Sequence, residues 1–156
     1  MSAKERVLQR ERERGMADAK SLQTRSADMT GTELYAEDSK IPSFKAAVAT
    51  KNMLERPIGF VCKSSAGRVV KLLQPYDSNI YTAEPEELPA QWGFVWSDDP
   101  AKALPFVAIS TSPFMKGNCC TEGDGVYRSK QDNNVHAPSA WPAGWEFVGT
   151  VEEVQN

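Results

Sequence analysis

Histidine occurs once, at His136, and cysteine only at Cys62, Cys119 and Cys120. There is no CxxC pair, and two adjacent cysteines with one distant histidine do not make a zinc ligand set. The thiols read as reduced, structural side chains, the alternative being a Cys62–Cys119 disulfide in an oxidising setting. No apolar run approaches the ~18 residues of a membrane span. The N-terminus also lacks the apolar core of a signal peptide, so neither Sec export nor membrane insertion is expected. An excess of either sign of charge is lacking too, with 18 basic and 21 acidic side chains and a formal net charge of −3 over 156 residues. Nothing draws the chain to nucleic acid, because Glu11 and Glu13 interrupt Arg10, Arg12 and Arg14. Missing as well are a GxSxG elbow, a phosphate-binding glycine loop and a carboxylate pair marked by context. The expectation is a non-enzymatic protein with no catalytic residue, no metal ligand and no cofactor.

What is present divides into four stretches. Residues 1–28 alternate basic and acidic side chains from Lys4 to Arg14, a composition that favours helix and pairing along its face. Leu8, Gly15 and Leu22 fall seven apart, but a glycine on the seam makes a poor coiled coil. The segment reads either as a solvated helical arm or as a helix ordered by packing on a partner. Leu8, Met16 and Leu22 are too few to seat it on its own domain, so it is expected to order only in an assembly. Residues 29–56 carry a short apolar stripe of Phe44, Ala47, Val48 and Leu54. Asp38 or Ser39 is the expected cap, and Pro42 lies in the first turn. This helix is expected to lie across a β-module that follows.

Residues 57–106 and 107–156 are two copies of one unit. Cys62 and Cys119 lie 57 positions apart, and the same offset pairs Val69 with Val126, Val70 with Tyr127, Lys71 with Arg128 and Gln74 with Gln131. Further on the offset is 53, pairing Pro85 with Pro138, Pro89 with Pro142, Ala90 with Ala143, Trp92 with Trp145, Phe94 with Phe147 and Val95 with Val148. One gap therefore aligns the copies from end to end, the mark of a repeated supersecondary unit. Each copy has a glycine turn, Ser65-Ala66-Gly67 or Glu122-Gly123-Asp124-Gly125, between two short strands. An irregular segment whose prolines keep it out of a sheet follows, and then a strand carrying the tryptophan. The fold class expected is mainly β with N-terminal helices, two tandem small antiparallel β-modules preceded by a helical arm. Recurrence at one repeat position marks Trp92 and Trp145 as core.

The stretch Asp124-Gly125-Val126-Tyr127-Arg128-Ser129-Lys130, followed by Trp141-Pro142-Ala143-Gly144-Trp145-Glu146-Phe147-Val148-Gly149, resembles the chitin-binding-type carbohydrate-binding modules of chitinases and cellulases. Gly67–Val95 matches the same pattern more loosely. Tandem modules preceded by a segment like Thr30-Gly31-Thr32-Glu33-Leu34 to Ile41-Pro42 resemble small accessory virion proteins of tailed bacteriophages. The run Trp96–Phe106 is similar to those proteins as well. The polar loop Gln131–Asn134 departs from the exposed aromatic pair usual in the sugar-binding families.

Trp141 stands where the first copy has Leu88, so the shared fold does not demand a ring there. Rings that packing does not require are candidates to stack on sugar faces. Trp141, Tyr127 and Trp96 meet that condition, and Tyr76 and Tyr81 are weaker candidates. Asp132, Asn133 and Asn134 could hydrogen-bond sugar hydroxyls or simply form an Asx turn. Glu84, Glu86 and Glu87 read as a solvated acidic loop. The resemblance implies a virion component, made in a host cytoplasm, that displays its modules for weak adhesion to host-surface glycans. Residues 1–28 would join copies of the chain or other virion proteins, and many copies would supply avidity. The alternatives are a structural virion scaffold without a sugar site, or an accessory module of a glycoside hydrolase system.

Overall fold

The computed structural model describes residues 1–156. A long helix and two shorter ones lead into two small, mostly antiparallel sheets, with helical turns covering 38% of the chain. Helix α1 (Ala3–Arg25) begins at Ser2, whose hydroxyl accepts from Glu5 N while the Glu5 carboxylate accepts from Ser2 N. That reciprocal pair satisfies two of the donors a helix start leaves open. Thr30 and Glu33 form the same box at α2 (Gly31–Ala36). Helix α3 (Phe44–Thr50) is capped by Ser43, not by the expected Asp38 or Ser39, and Pro42 lies before the cap. Its inner face buries Phe44 and Ala47, whereas Leu54 lies in a separate turn and is exposed. The thin apolar content of α1 has the predicted consequence up to Asp18, where every side chain is exposed.

The last turns of α1 behave otherwise. Leu22 is wholly buried with Leu34, Tyr35, Ile41, Val61 and Val69. The Gln23 side chain completes the backbone of Val61, donating from Nε2 to its carbonyl (2.7 Å) and accepting at Oε1 from its N–H (2.9 Å). The arm is thus anchored to its own chain, which corrects the expectation that residues 1–28 need an assembly to order. One buried leucine and one bidentate amide hold this helix end.

The first sheet has the order β1 (Val61–Lys63), β2 (Val69–Leu72), β3 (Trp92–Phe94). The second has the order β4 (Leu104–Pro105), β5 (Cys119–Glu122), β6 (Gly125–Ser129), β7 (Trp145–Thr150), with β4 parallel to β5. Leu104 and Pro105, grouped by sequence with the first unit, are therefore edge residues of the second sheet. The duplication is visible in register. Val70 faces Phe94 and Leu72 faces Trp92, and in the second copy Tyr127 faces Phe147 and Ser129 faces Trp145. Both sequence offsets hold across these strands. They fail by one residue on the first strand, where Cys62 faces Val70 but Cys120, not Cys119, faces Tyr127.

The turns explain the slip. The first copy closes through three residues, Ser65 to Gly67, with Ser64 N on Arg68 O at 2.8 Å and Gly67 at φ +87°. The second closes through Gly123 and Asp124 alone, with Gly123 at φ +57°. A residue fewer in the turn must be absorbed by the strand, since an unabsorbed one-residue slip would turn every side chain to the wrong face. All three cysteines are free and buried, which sets aside the Cys62–Cys119 disulfide. Glu84 and Glu86 are not merely solvated. Glu84 accepts from Ser65, and Glu86 pairs with the nearly buried Arg68 at 3.1 Å and accepts from Ser64.

Each sheet packs on both faces. One face of each meets a helix: Val61 and Val69 under α2, and Cys119 and Val126 under Val151 and Val154 of α4 (Val151–Gln155). The opposite faces share one aromatic core. Trp92 is fully buried, donates Nε1–H to the Tyr76 hydroxyl at 3.0 Å, and meets Phe44 edge-on. Trp145 donates to His136 O at 2.8 Å and meets Phe114 and Phe106. Both tryptophans are core residues, as the repeat implied. Tyr35 joins α2 to the first sheet by inserting its hydroxyl between strands, accepting from Val69 N and donating to Val95 O at 3.0 Å each. Burial pushes its phenol up to about 12.

Two outcomes follow from the α1 junction. Deleting residues 1–18 removes only exposed side chains and leaves the unfolding free energy within about 0.5 kcal/mol of the intact chain. Deleting residues 1–28 removes Leu22 and Gln23 and costs about 2–5 kcal/mol; chemical denaturation of the two truncations measures the difference. The Glu37 carboxylate, held by Arg25 (3.2 Å) and Lys40 (2.9 Å), is lowered from 4.5 to about 2. A depressed carboxylate stabilises above its unfolded value and loses that contribution as pH falls through its folded one. Acid titration followed by circular dichroism therefore shows a loosening of this junction between about pH 4.5 and 2, and Glu37→Gln removes that step.

Candidate functional site

The irregular segment between β6 and β7 builds a surface cleft of about 380 Å³ lined by Gln131, Asp132, Asn133, His136, Ala140 and Trp141. The buried Asn134 is its foundation. Asn134 exchanges backbone hydrogen bonds with Phe114, and its side-chain amide donates to Ser129 Oγ (3.0 Å) and Gly144 O (3.3 Å). Its Oδ1 accepts from His136 N, an Asx-type turn that presents the imidazole ring. Asn133, next to it, is the one non-glycine residue at positive φ, at 55°. Asparagine tolerates that left-handed conformation better than most residues. Asp132 is tied from below, its Oδ1 accepting from Lys116 N at 3.0 Å.

Trp141 forms the opposite wall. It is half-buried and meets His136 edge-on, ring centres 5.8 Å apart. A glycine makes this possible, since a Cβ on Gly144 would fall inside the Trp141 ring. The repeat explains the meaning of that glycine. The first copy has Leu88 and Gln91 where the second has Trp141 and Gly144, so ring and gap changed together. Gly144 is a site residue that the sequence reading passed over; its signal was this paired difference between copies.

Not every expected residue is here. Trp96 is buried at 7% exposure, stacked between Phe94 (5.9 Å) and Phe114 (4.1 Å), with Nε1 donating to Ser112 O. Asn134 is 2% exposed with its amide committed. Both support the fold and cannot meet a ligand. Trp96 misled because it has no aromatic partner in the repeat, yet it belongs to the connection between copies, where no repeat constraint applies. Tyr76 is also core, whereas Tyr81 is exposed and remote from the cleft residues.

Tyr127 lies in a neighbouring groove of about 340 Å³ with Glu122, Pro138, Ser139, Pro142, Trp145 and Phe147. Tyr127 and Phe147 meet edge-on at 5.6 Å, and Phe147 is 58% exposed. Its repeat partner Phe94 is buried, so part of the sheet face that is core in the first copy is surface in the second, although Trp145 on that face is still buried. Phe147 is not among the expected candidates, because it has an aromatic counterpart, Phe94, in the other copy. The two grooves lie on either side of the segment from Pro138 to Pro142.

The cleft pairs an indole face with amide, carboxylate and imidazole hydrogen-bonding groups. No group of three or more His, Cys, Asp or Glu side chains is placed to hold a metal ion. Burial pushes the thiols of Cys62 and Cys119 up to about 12 and about 11 and raises Cys120 as well, so none is a thiolate nucleophile at neutral pH. No helix is long and apolar enough to cross a membrane. The chain matches no protein-family model, no curated protein and no solved structure.

Gly144→Ala tests the seat of the ring. It displaces Trp141 while leaving the main chain able to fold, because Gly144 is not at positive φ. The expected result is a changed indole emission spectrum with a loss of stability of about 1–3 kcal/mol, the usual cost of overpacking.

Proposed function

We propose that the protein is a non-enzymatic adhesion component that binds glycans weakly through its second β-module. The observation that carries this reading is the partly exposed Trp141 ring set against Asp132, Asn133, Gln131 and His136 in one cleft. Sugar rings present an apolar face and a rim of hydroxyls, and a flat indole beside fixed polar groups complements both. The first module lacks the site because Leu88 replaces the indole. Its role is to carry the shared core.

The resemblance to tandem chitin-binding-like modules of phage accessory proteins supports a setting on a virion, capsid or tail, facing host-surface glycans. The projecting part of α1, residues 3–18, is the attachment element in this reading, joining copies of the chain or other virion proteins. Its Val7, Leu8 and Met16 are exposed along with a surface of alternating charge. Weak single sites then act through avidity, since linked copies convert later binding events into intramolecular ones.

Trp141→Leu separates this reading from a scaffold without a sugar site. Leu fills the repeat-mate position, so the melting temperature changes little, while retention on chitin, peptidoglycan and a glycan array is lost. Equal retention of wild-type protein and variant, or none for the wild-type protein, would favour the scaffold.

A further inference from the structure

Far from the Trp141 cleft, the junction of α1, α3 and the first sheet encloses a cleft of about 550 Å³. Four cationic side chains line it: Lys20 from α1, Lys51 from the end of α3, Arg56 from the turn after it, and Lys71 from β2. No aspartate or glutamate lines it. In a chain of net charge −3, this is a concentration of positive charge that the global composition conceals.

The simplest account is that these cations neutralise helix ends. Lys71 Nζ donates to Ser26 O at 3.0 Å, just past α1, and Arg56 donates to Ala47 O at 3.0 Å in α3. Two helix C-termini together are worth about one negative charge. Four cations exceed that by about three, so capping accounts for only part of the cluster. The donors also exceed the acceptors. Arg56 Nε is buried without a partner, its guanidinium lies over the Phe60 ring at 4.4 Å, and Lys20 and Lys51 are exposed with no ion pair. Gln23 and Ser26 add polar groups, and the exposed Ile58 and Pro57 form an apolar wall.

We infer that this cleft is a binding site for a small phosphorylated molecule, its phosphate groups held by Lys20, Lys51, Arg56 and Lys71 and its body lying against Pro57 and Ile58. Phosphate concentrates multiple charges on one compact group, which suits cations converging from four segments better than a single carboxylate does. The volume falls in the range of small-molecule sites. The site is independent of the glycan reading, since none of its residues belongs to the second module.

The test uses inorganic pyrophosphate as the probe on the full chain, by calorimetry and thermal melting, against sodium chloride at matched ionic strength. Saturable binding and a raised melting temperature are expected with pyrophosphate only. The exposed pair K20Q/K51Q weakens that binding by about tenfold or more, as loss of charged hydrogen bonds does. The charge-matched control K4Q/K130Q, outside the cleft, leaves it within about twofold because distant charges are screened. No saturable binding, or equal weakening in both double variants, overturns the proposal. Because the readout is direct binding, neither result depends on glycan adhesion.

Discussion

The indole of Trp96 lies between Phe94 on one side and Phe114 on the other, and through Phe114 it reaches Trp145 of the second sheet. The two sheets depend on this ring series. Their strands are only two to six residues long, and sheets so small are marginal by themselves. Neither copy encloses a core alone, because each has one face under a helix and the other open. The segment between the copies supplies the missing layer, bringing Trp96, Phe106, Ile109 and Phe114 between the open faces. Burial of Phe and Trp rings is worth several kcal/mol each, a large share of the net stability of a small protein.

Sharing a core also breaks the symmetry of the duplication. The first sheet gives its whole inner face to the interior, including Val70 and Phe94. The second sheet gives Cys120 and Trp145, while Tyr127 is half-buried and Phe147 stands in solvent. Freed from part of that packing, the second copy carries rings at its surface, and Trp141, seated against Gly144, is one that the first copy lacks. The first copy instead receives α1, α2 and α3, and its charged residues are spent on holding them. Arg68, whose guanidinium reaches Glu86 and Pro105 O, ties that copy to the edge strand of the other sheet.

The helical region is a gradient from anchored to free. Leu22, Gln23 and the Arg25–Glu37–Lys40 triad bind the end of α1 to the body, and nothing comparable holds residues 3–18. The result is a projecting helix with a firm base, and the cationic cleft lies at that base.

The sequence by itself determined the duplication, the two closing tryptophans, the glycine turns and the helical nature of the charged N-terminus. Those features are local or repeated, and residue type at fixed spacing reports them directly. It also singled out the loop from Asp132 to Trp141, of which Asp132, Asn133 and Trp141 share one cleft. The tertiary structure alone decided which apolar residues are interior. Trp96 and Asn134 are buried and Phe147 is exposed, because burial depends on what the neighbouring sheet and the connecting segment cover. The same holds for Leu22, for the one-residue shift of Cys62 onto Cys120, and for the convergence of Lys20, Lys51, Arg56 and Lys71. Each is a matter of distance between residues remote in the chain, set by turn length and by how two incomplete cores close on each other, and neither period nor composition encodes it.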